Sequence, residues 1–129
     1  MKLLLDTCAL LWLAEEPARL SVNARAAIVA HPDELFVSAI SAFEIGLKQR
    51  KGKLSLGMEP DTWWRLAIVH HGLTVISVTD EIALASTALP PLHADPSDRI
   101  IVATAAAIQA DILTADPLIK QYPNTSVIW

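Results

Sequence analysis

The feature that most constrains the fold is a series of short, unbroken apolar runs separated by segments with helical character. The runs do not alternate between apolar and polar residues, so both faces of each strand are predicted to be buried. Strands of this kind belong to parallel sheets, whose connections are helices packed on the two faces. The sequence therefore predicts an α/β fold, a three-layer α/β/α sandwich with a central parallel sheet.

Prolines, capping side chains and Gly72 mark where the expected helices begin and end. The predicted strands cover residues 2–5, 35–38, 73–76, 112–114 and 126–128, and the predicted helices cover 7–14, 21–30, 41–51, 60–71, 79–88, 96–110 and 117–121. No repeat, low-complexity segment or linker interrupts the 129 residues. We therefore expect a single domain spanning residues 1–129.

The net charge of −4 constrains the partners. A protein that binds nucleic acid through electrostatics alone is usually basic, so an acidic domain that handles phosphodiesters needs a cation to neutralise its own carboxylates. Hydrophobic residues make up 53% of the chain, which favours surfaces covered by a partner. Trp63 and Trp64 are consecutive and point in different directions, so one of them is expected to face that partner.

The single cysteine, Cys8, excludes an internal disulfide and a cysteine-based zinc cluster. Residues 1–5 resemble the start of a signal peptide, but Asp6 interrupts the apolar run. No run approaches the roughly 20 apolar residues of a membrane span. We expect a cytoplasmic protein without a membrane segment.

Four acidic residues lie near strand ends or helix starts. Asp6 follows the first strand, Glu44 is expected in the first turn of the helix after the second strand, Asp98 lies in the first turn of the longest helix, and Asp116 follows the fourth strand. Ligands of open α/β sheets bind at the carboxyl ends of the strands, so this topology can gather the four carboxylates. Such a cluster is self-repelling unless a hard cation such as Mg²⁺ or Mn²⁺ joins it.

Each acid also has a structural explanation. Asp6 and Asp116 can cap the helices that follow them, and Ser41 with Glu44 has the spacing of a capping box. Asp95 is expected to cap the longest helix, with a proline at its first position. Capping explains Glu44 least comfortably because its neighbours in sequence are apolar. The conjunction of all four acids carries more weight than any one of them.

The four acidic segments, taken together, resemble those of PIN-domain ribonucleases of the VapC type. Their sequences here are LLLDT (3–7), SAISAFEI (38–45), LHADPSDR (92–99) and ILTAD (112–116). The third is similar to the family's "DPxDR" signature, and the fourth carries a threonine two places before its acid. The resemblance runs from end to end, and no departure is seen at the four acids.

The resemblance implies a PIN-like α/β/α sandwich with Mg²⁺- or Mn²⁺-dependent endoribonuclease activity. Asp6, Glu44, Asp98 and Asp116 would be its catalytic and metal-binding residues. It also implies a homodimer that acts as the toxin of a toxin–antitoxin pair and is inhibited by a small cognate antitoxin. The RNA that is cut is not fixed by the resemblance.

Several neighbouring side chains are candidates for auxiliary roles. The hydroxyls of Thr7 and Thr114 could bind a phosphate or a water held by the metal, although capping or strand roles are also open. Arg99 could pair with a carboxylate of the site or with a substrate phosphate. His93 could approach the cleft, but no histidine shows the spacing of a zinc site.

A basic cluster at the end of the Glu44 helix is a candidate RNA contact. Lys48, Arg50, Lys51 and Lys53 fall within six residues and lie within about 15 Å of the cleft along the helix. They could hold the RNA backbone beside the acidic residues. The alternative is a solvated helix end, where cations complement the helix dipole.

Two other functions are alternatives for this sequence. A phosphatase or a phospho-acceptor receiver domain would need a second aspartate beside Asp6 or a lysine after a late strand, and no such lysine precedes Lys120. A binding module without catalysis would typically lack one of the acids, and none is missing. An assay of metal-dependent RNA cleavage separates these alternatives.

Overall fold

A computed structural model describes all 129 residues and contains a five-stranded, entirely parallel sheet. The strands lie in the order β3-β2-β1-β4-β5. Their bounds are β1 Lys2–Leu5, β2 Leu35–Ser38, β3 Thr74–Ile76, β4 Ala110–Leu113 and β5 Val127–Ile128.

Seven α-helices and one 3₁₀ turn, Pro17–Arg19, connect the strands. The helices are α1 Thr7–Glu15, α2 Val22–Ala30, α3 Ala39–Arg50, α4 Pro60–His71, α5 Asp80–Thr87, α6 Pro96–Ile108 and α7 Pro117–Lys120. None of them is both long and apolar enough to cross a membrane.

The central strand β1 shows why the sheet is covered on both faces. Leu3 and Leu5 pack into a core with α1 to α4, whereas Leu4 packs into a second core with α6 and α7. All three side chains are fully buried, and burial of each stabilises the fold by about 2 kcal/mol. Three consecutive buried leucines that point to opposite faces of β1 require a helical layer on each face, so the predicted three-layer sandwich is confirmed.

Element boundaries differ from prediction where a local cap decides them. The helix predicted for residues 96–110 ends at Ile108, because Gln109 adopts a left-handed conformation with φ 57°. This turn frees Ala110 to begin β4, where it pairs with Lys2 of β1. The alanine-rich sequence gave no sign of that turn, since alanine favours helix throughout.

Trp63 and Trp64 differ in burial, and the prediction that one of them faces a partner stays a prediction. Trp63 is buried in the core with its indole N–H donating to Glu15 Oε1 at 2.6 Å, and Trp64 is half-buried against the same core. Other exposed apolar side chains on the same helix are Leu66 and Val69.

Candidate active site

The candidate site lies where the strand order of the sheet reverses. From β1 the chain moves to β2 and β3 on one side, and β4 and β5 lie on the other side. The carboxyl ends of β1 and β4 are adjacent, since Leu5 pairs with Leu113. Open α/β sheets bind ligands in the crevice at such a switch point.

A cleft of about 410 Å³ opens at this crevice and is strongly acidic. The four predicted acids all line it, which places the carboxylates from β1, α3, α6 and the end of β4 in one cavity. A fifth acid, Asp95, and one cation, Lys48, complete its charged lining: Asp6, Glu44, Asp95, Asp98, Asp116 and Lys48. The excess of negative charge is the electrostatic condition that a divalent cation relieves.

Asp6 occupies the floor of the cleft and caps α1 as predicted. Its Oδ1 accepts a hydrogen bond from the Ala9 N–H at 2.8 Å, and its Oδ2 accepts one from the Thr114 hydroxyl. Thr114 Oγ1 also accepts from the Asp116 N–H at 3.0 Å, so this buried threonine joins the first and fourth acidic segments. Capping and a role in the cleft are therefore compatible for Asp6.

The acidity of Asp6 is perturbed by its surroundings. Burial raises its pKa from 3.8 to about 6, against the lowering effect of the hydrogen bonds from Thr114 and Ala9. The charges of Asp116 and Glu44 raise it further. Near neutral pH the ionised carboxylate is thus held at a cost in free energy that a bound cation would remove.

Glu44 does not lie in the first helical turn, and the predicted capping box is wrong. The helix begins at Ala39, and Ser38 caps it by accepting from the Ile40 N–H at 3.1 Å. Glu44 is therefore the sixth residue of α3, in its second turn. Strand β2 ends at Ser38, which is also the N-cap of α3, so Ser41 falls inside the helix. The Ser41 hydroxyl lies 2.9 Å from that of Thr7.

The carboxylate of Glu44 points into the cleft with one oxygen unpaired. Its Oε2 lies 3.5 Å from Lys48 Nζ, while its buried Oε1 has no hydrogen-bond partner. A buried carboxylate oxygen without a partner is costly and is usually satisfied by an ion or water. Thr7 lines the same cleft, but its hydroxyl is already engaged with Ser41.

Asp98 lies in the first turn of α6, as predicted, and Asp95 caps that helix by accepting from the Ser97 N–H at 2.9 Å. Burial raises the pKa of Asp98 to about 7, and the neighbouring charge of Asp95 adds to the effect. The ordinary value for this side chain is 3.8. Two of the four acids thus have pKa values raised towards neutrality, which is characteristic of functional carboxylate clusters.

His93 lies between the third and fourth acids. Its Nε2 is 2.7 Å from Asp116 Oδ2, and its Nδ1 is 3.6 Å from Asp98 Oδ2. Asp116 uses its other oxygen to cap α7, accepting from the Leu118 N–H at 2.9 Å. Sequence reasoning placed His93 near the cleft without a role. The signal was its position two residues before the capping Asp95.

Arg99 does not pair with a carboxylate of the cleft. Its guanidinium donates to the backbone carbonyls of Ser86 at 2.9 Å, Leu89 at 2.8 Å and Pro90 at 3.0 Å, with a longer contact of 3.4 Å to His93. Ser86 lies in the last turn of α5, and the other acceptors lie in the segment that leads from α5 into α6. Both terminal nitrogens of Arg99 are engaged by these carbonyls, so the carboxylate pairing is wrong, and the alternative contact with a substrate phosphate stays a prediction.

The predicted basic cluster lines a second groove beside the cleft. Lys48, Lys51 and Lys53 contribute to this groove of about 210 Å³, which shares Glu44 and Asp95 with the acidic cleft. Phe43, whose ring is largely exposed, lies on its wall. Arg50 is exposed but lines neither cavity.

The residues of the cleft fit a hard divalent cation. Four carboxylates provide the oxygen donors that Mg²⁺ and Mn²⁺ prefer, and the unpaired Oε1 of Glu44 is available to such an ion. Donor atoms of His93, Asp98 and Asp116 also lie within 4.8 Å of one another. No group of cysteines is present that would favour zinc.

Comparison with known proteins gives consistent matches over nearly the whole chain. The PIN domain family model matches residues 3–124. Ribonuclease VapC22 of Mycobacterium tuberculosis is 35% identical over 129 residues, covering 98% of this chain and 97% of that protein. Among solved structures, VapBC2 from Rickettsia felis bound to a promoter DNA fragment superposes with a TM-score of 0.74 at 16% identity, covering 98% of this chain and 97% of that one. DNA-bound VapBC from Salmonella typhimurium gives 0.71 at 15% identity, with 98% and 96% covered.

Proposed function

Because this chain belongs to the PIN domain family, we propose that it is a Mg²⁺- or Mn²⁺-dependent endoribonuclease that acts as the toxin of a toxin–antitoxin pair. The observation that carries the proposal is the cleft at the sheet's switch point, where four carboxylates converge and Glu44 Oε1 has no partner. The naming of the 35% identical relative as a ribonuclease supports the reaction class.

Asp6, Glu44, Asp98 and Asp116 would hold one or two divalent ions. When bound, such an ion supplies Lewis-acid polarisation of a phosphoryl oxygen and makes a water molecule more nucleophilic. The protein's own contribution is to fix the carboxylates: Thr114 holds Asp6, and the helix N-terminus of α7 holds Asp116. Preorganised ligands of this kind avoid reorganisation during the reaction.

RNA would lie across the cleft and the neighbouring groove. Lys48, Lys51 and Lys53 give that groove positive charge, and Arg50 adds to the field from outside it. Contacts of this kind position the backbone without reading sequence. Replacing Lys51 and Lys53 by alanine should weaken the binding of all single-stranded RNAs and reduce the salt slope by up to about 0.7 for each lost contact. Unchanged affinity and slope in that variant would show that the lysines form only a solvated helix end.

Two protein partners are proposed, a second copy of this chain and a small antitoxin. Large apolar side chains such as Val29, Val69 and Leu84 are each more than two-thirds exposed, which favours covered surfaces. The acidic cleft suits an arginine of the antitoxin that would replace the charge of the cation. A strict monomer in light scattering at micromolar concentration would contradict the dimer, and failure to bind the product of an adjacent small gene would contradict the toxin role.

We further propose that residues 1–129 act as one domain in the cytoplasm. The PIN domain match over residues 3–124 and the packing of both cores on the two faces of one sheet support the domain assignment. A single free cysteine suits a reducing compartment.

The nuclease proposal is tested by Asp98→Asn with a matched control. The change keeps the shape of the side chain and removes its charge, so RNA cleavage should fall at least about 100-fold while thermal unfolding stays cooperative. Asp61→Asn is the control, because Asp61 also lies in the first turn of a helix that begins with proline but is exposed on α4. Near wild-type cleavage by Asp98→Asn, or full activity in EDTA, would refute the proposal.

A further inference from the structure

His93 is built into the cleft more firmly than a loop residue needs to be. Its side chain is 12% exposed and stands between Asp116 and Asp98, with ring nitrogens directed towards both. The contact to Asp116, at 2.7 Å, has hydrogen-bond length, whereas the approach to Asp98, at 3.6 Å, does not. Because a carboxylate can only accept, Nε2 is the donor in the contact to Asp116.

The backbone of His93 is held from two sides. Its N–H donates to the hydroxyl of Tyr122 at 2.9 Å, and Tyr122 is buried in the second core beside α7. Its carbonyl accepts the longer contact from Arg99, whose other hydrogen bonds fix Leu89 and Pro90 in the same segment. These contacts define where the imidazole stands relative to Asp116, which follows a different strand.

We propose that His93 is a positioning residue that fixes the Asp116 carboxylate for metal binding, and that Tyr122 and Arg99 act through it. The inference rests on the proposed metal-dependent function of the cleft. Asp116 would then be oriented through both of its oxygens, one by the N-terminus of α7 and one by His93. Each oxygen keeps a second lone pair for a cation.

A hydrogen-bond donor placed like His93 holds a metal-binding carboxylate in its binding geometry before the ion binds. Loss of such a hydrogen bond typically costs 10- to 100-fold in metal affinity or activity. The effect of removing His93 should therefore be seen in the binding of Mn²⁺ itself, without RNA. Direct coordination of the ion by His93 is the competing arrangement, and it would have to use Nδ1, which lies 3.6 Å from Asp98 Oδ2, because Nε2 is engaged by Asp116 at 2.7 Å.

The two amide residues that resemble histidine separate the role of Nε2 from simple filling of space. The amide nitrogen of glutamine can occupy the position of Nε2. The side chain of asparagine is shorter, so its amide nitrogen corresponds in position to Nδ1. Titration calorimetry of the full chain with Mn²⁺ should show at least about 10-fold weaker binding in His93→Ala and His93→Asn, and binding within about 3-fold of wild type in His93→Gln. His70→Gln, on the exposed surface of α4, is the control and should bind like wild type.

The outcomes distinguish this inference from the function on which it rests. If the wild-type chain binds no Mn²⁺, the metal-dependent function is refuted. If the wild type binds and His93→Ala binds equally well, the positioning role is refuted while the function stands. Glutamine as weak as alanine, or a nitrogen coupling in the Mn²⁺ spin-resonance spectrum that His93→Gln abolishes, would also overturn the positioning role.

Tyr122→Phe provides a second variant that leaves the imidazole in place. It removes the acceptor for the His93 N–H and should weaken Mn²⁺ binding about 3-fold in the wild-type background, since it removes one neutral hydrogen bond. In the His93→Ala background, Tyr122→Phe should have no effect on Mn²⁺ binding, because the effects of substitutions at residues that act through one another are not additive. Additive losses in the double variant would refute the connection from Tyr122 through His93.

Discussion

Asp6→Asn should make the metal-free protein more stable at about pH 8, even though it removes a residue of the candidate active site. The carboxylate of Asp6 is buried, and this burial raises its pKa from 3.8 to about 6. Asparagine has the same shape, caps helices as well as aspartate does, and carries no charge. The variant therefore tests whether the cleft holds its negative charge at the expense of stability.

The magnitude follows from the shift in pKa. Because the folded-state value lies above the unfolded-state value, the contribution of Asp6 to stability is fully present below pH 3.8 and is lost as the pH rises through about 6. A shift of roughly two units corresponds to about 3 kcal/mol at pH values well above both. The amide meets the Thr114 hydroxyl less well than the carboxylate does, which costs about 1 kcal/mol.

Asp6→Asn should thus be about 2 kcal/mol more stable than wild type near pH 8, and about equal to it near pH 4.5. This difference corresponds to roughly 8 °C in Tm for a chain of this size. Chemical denaturation of protein freed of metal with EDTA measures the free energy of unfolding at about pH 8 and about pH 4.5. Asp61→Asn, at an exposed position, is the control. Adding Mg²⁺ should stabilise wild type more than the variant. Equal destabilisation of Asp6→Asn at both pH values would refute the reasoning.

Three further predictions concern the same cleft and the core around it. Partial burial and the charge of Asp6 raise the pKa of the Cys8 thiol, so alkylation by iodoacetamide near neutral pH should be slower than for a cysteine peptide and faster in Asp6→Asn than in wild type. Gln109→Gly should raise the free energy of unfolding by up to about 1 kcal/mol in urea, because glycine tolerates the φ of 57° at the end of α6. Trp63→Phe should lower it by about 1–3 kcal/mol through loss of the hydrogen bond to Glu15, and Glu15→Gln should add little in that background.

The sequence by itself determined the layers of the fold and the identity of the acids. Strand β1 is apolar at Leu3, Leu4 and Leu5, so it had to be buried on both faces, and this pattern predicts a parallel sandwich without any tertiary information. Asp6, Asp98 and Asp116 could be placed because each lies beside a strand end or a proline that marks a helix start. These signals are local, and residues close in sequence carry them.

Tertiary structure decided what each side chain touches. Ser38 rather than Ser41 caps α3, because β2 runs directly into the helix, and this moves Glu44 into the second turn. Arg99 could reach either a carboxylate or the carbonyls of its own approach segment, and only the folded path of that segment selects the carbonyls. The path also places His93 against Asp116, 23 positions further along the chain. A side chain's partner depends on which segments the sheet brings together, and hydrophobic patterning fixes the sheet without fixing those contacts.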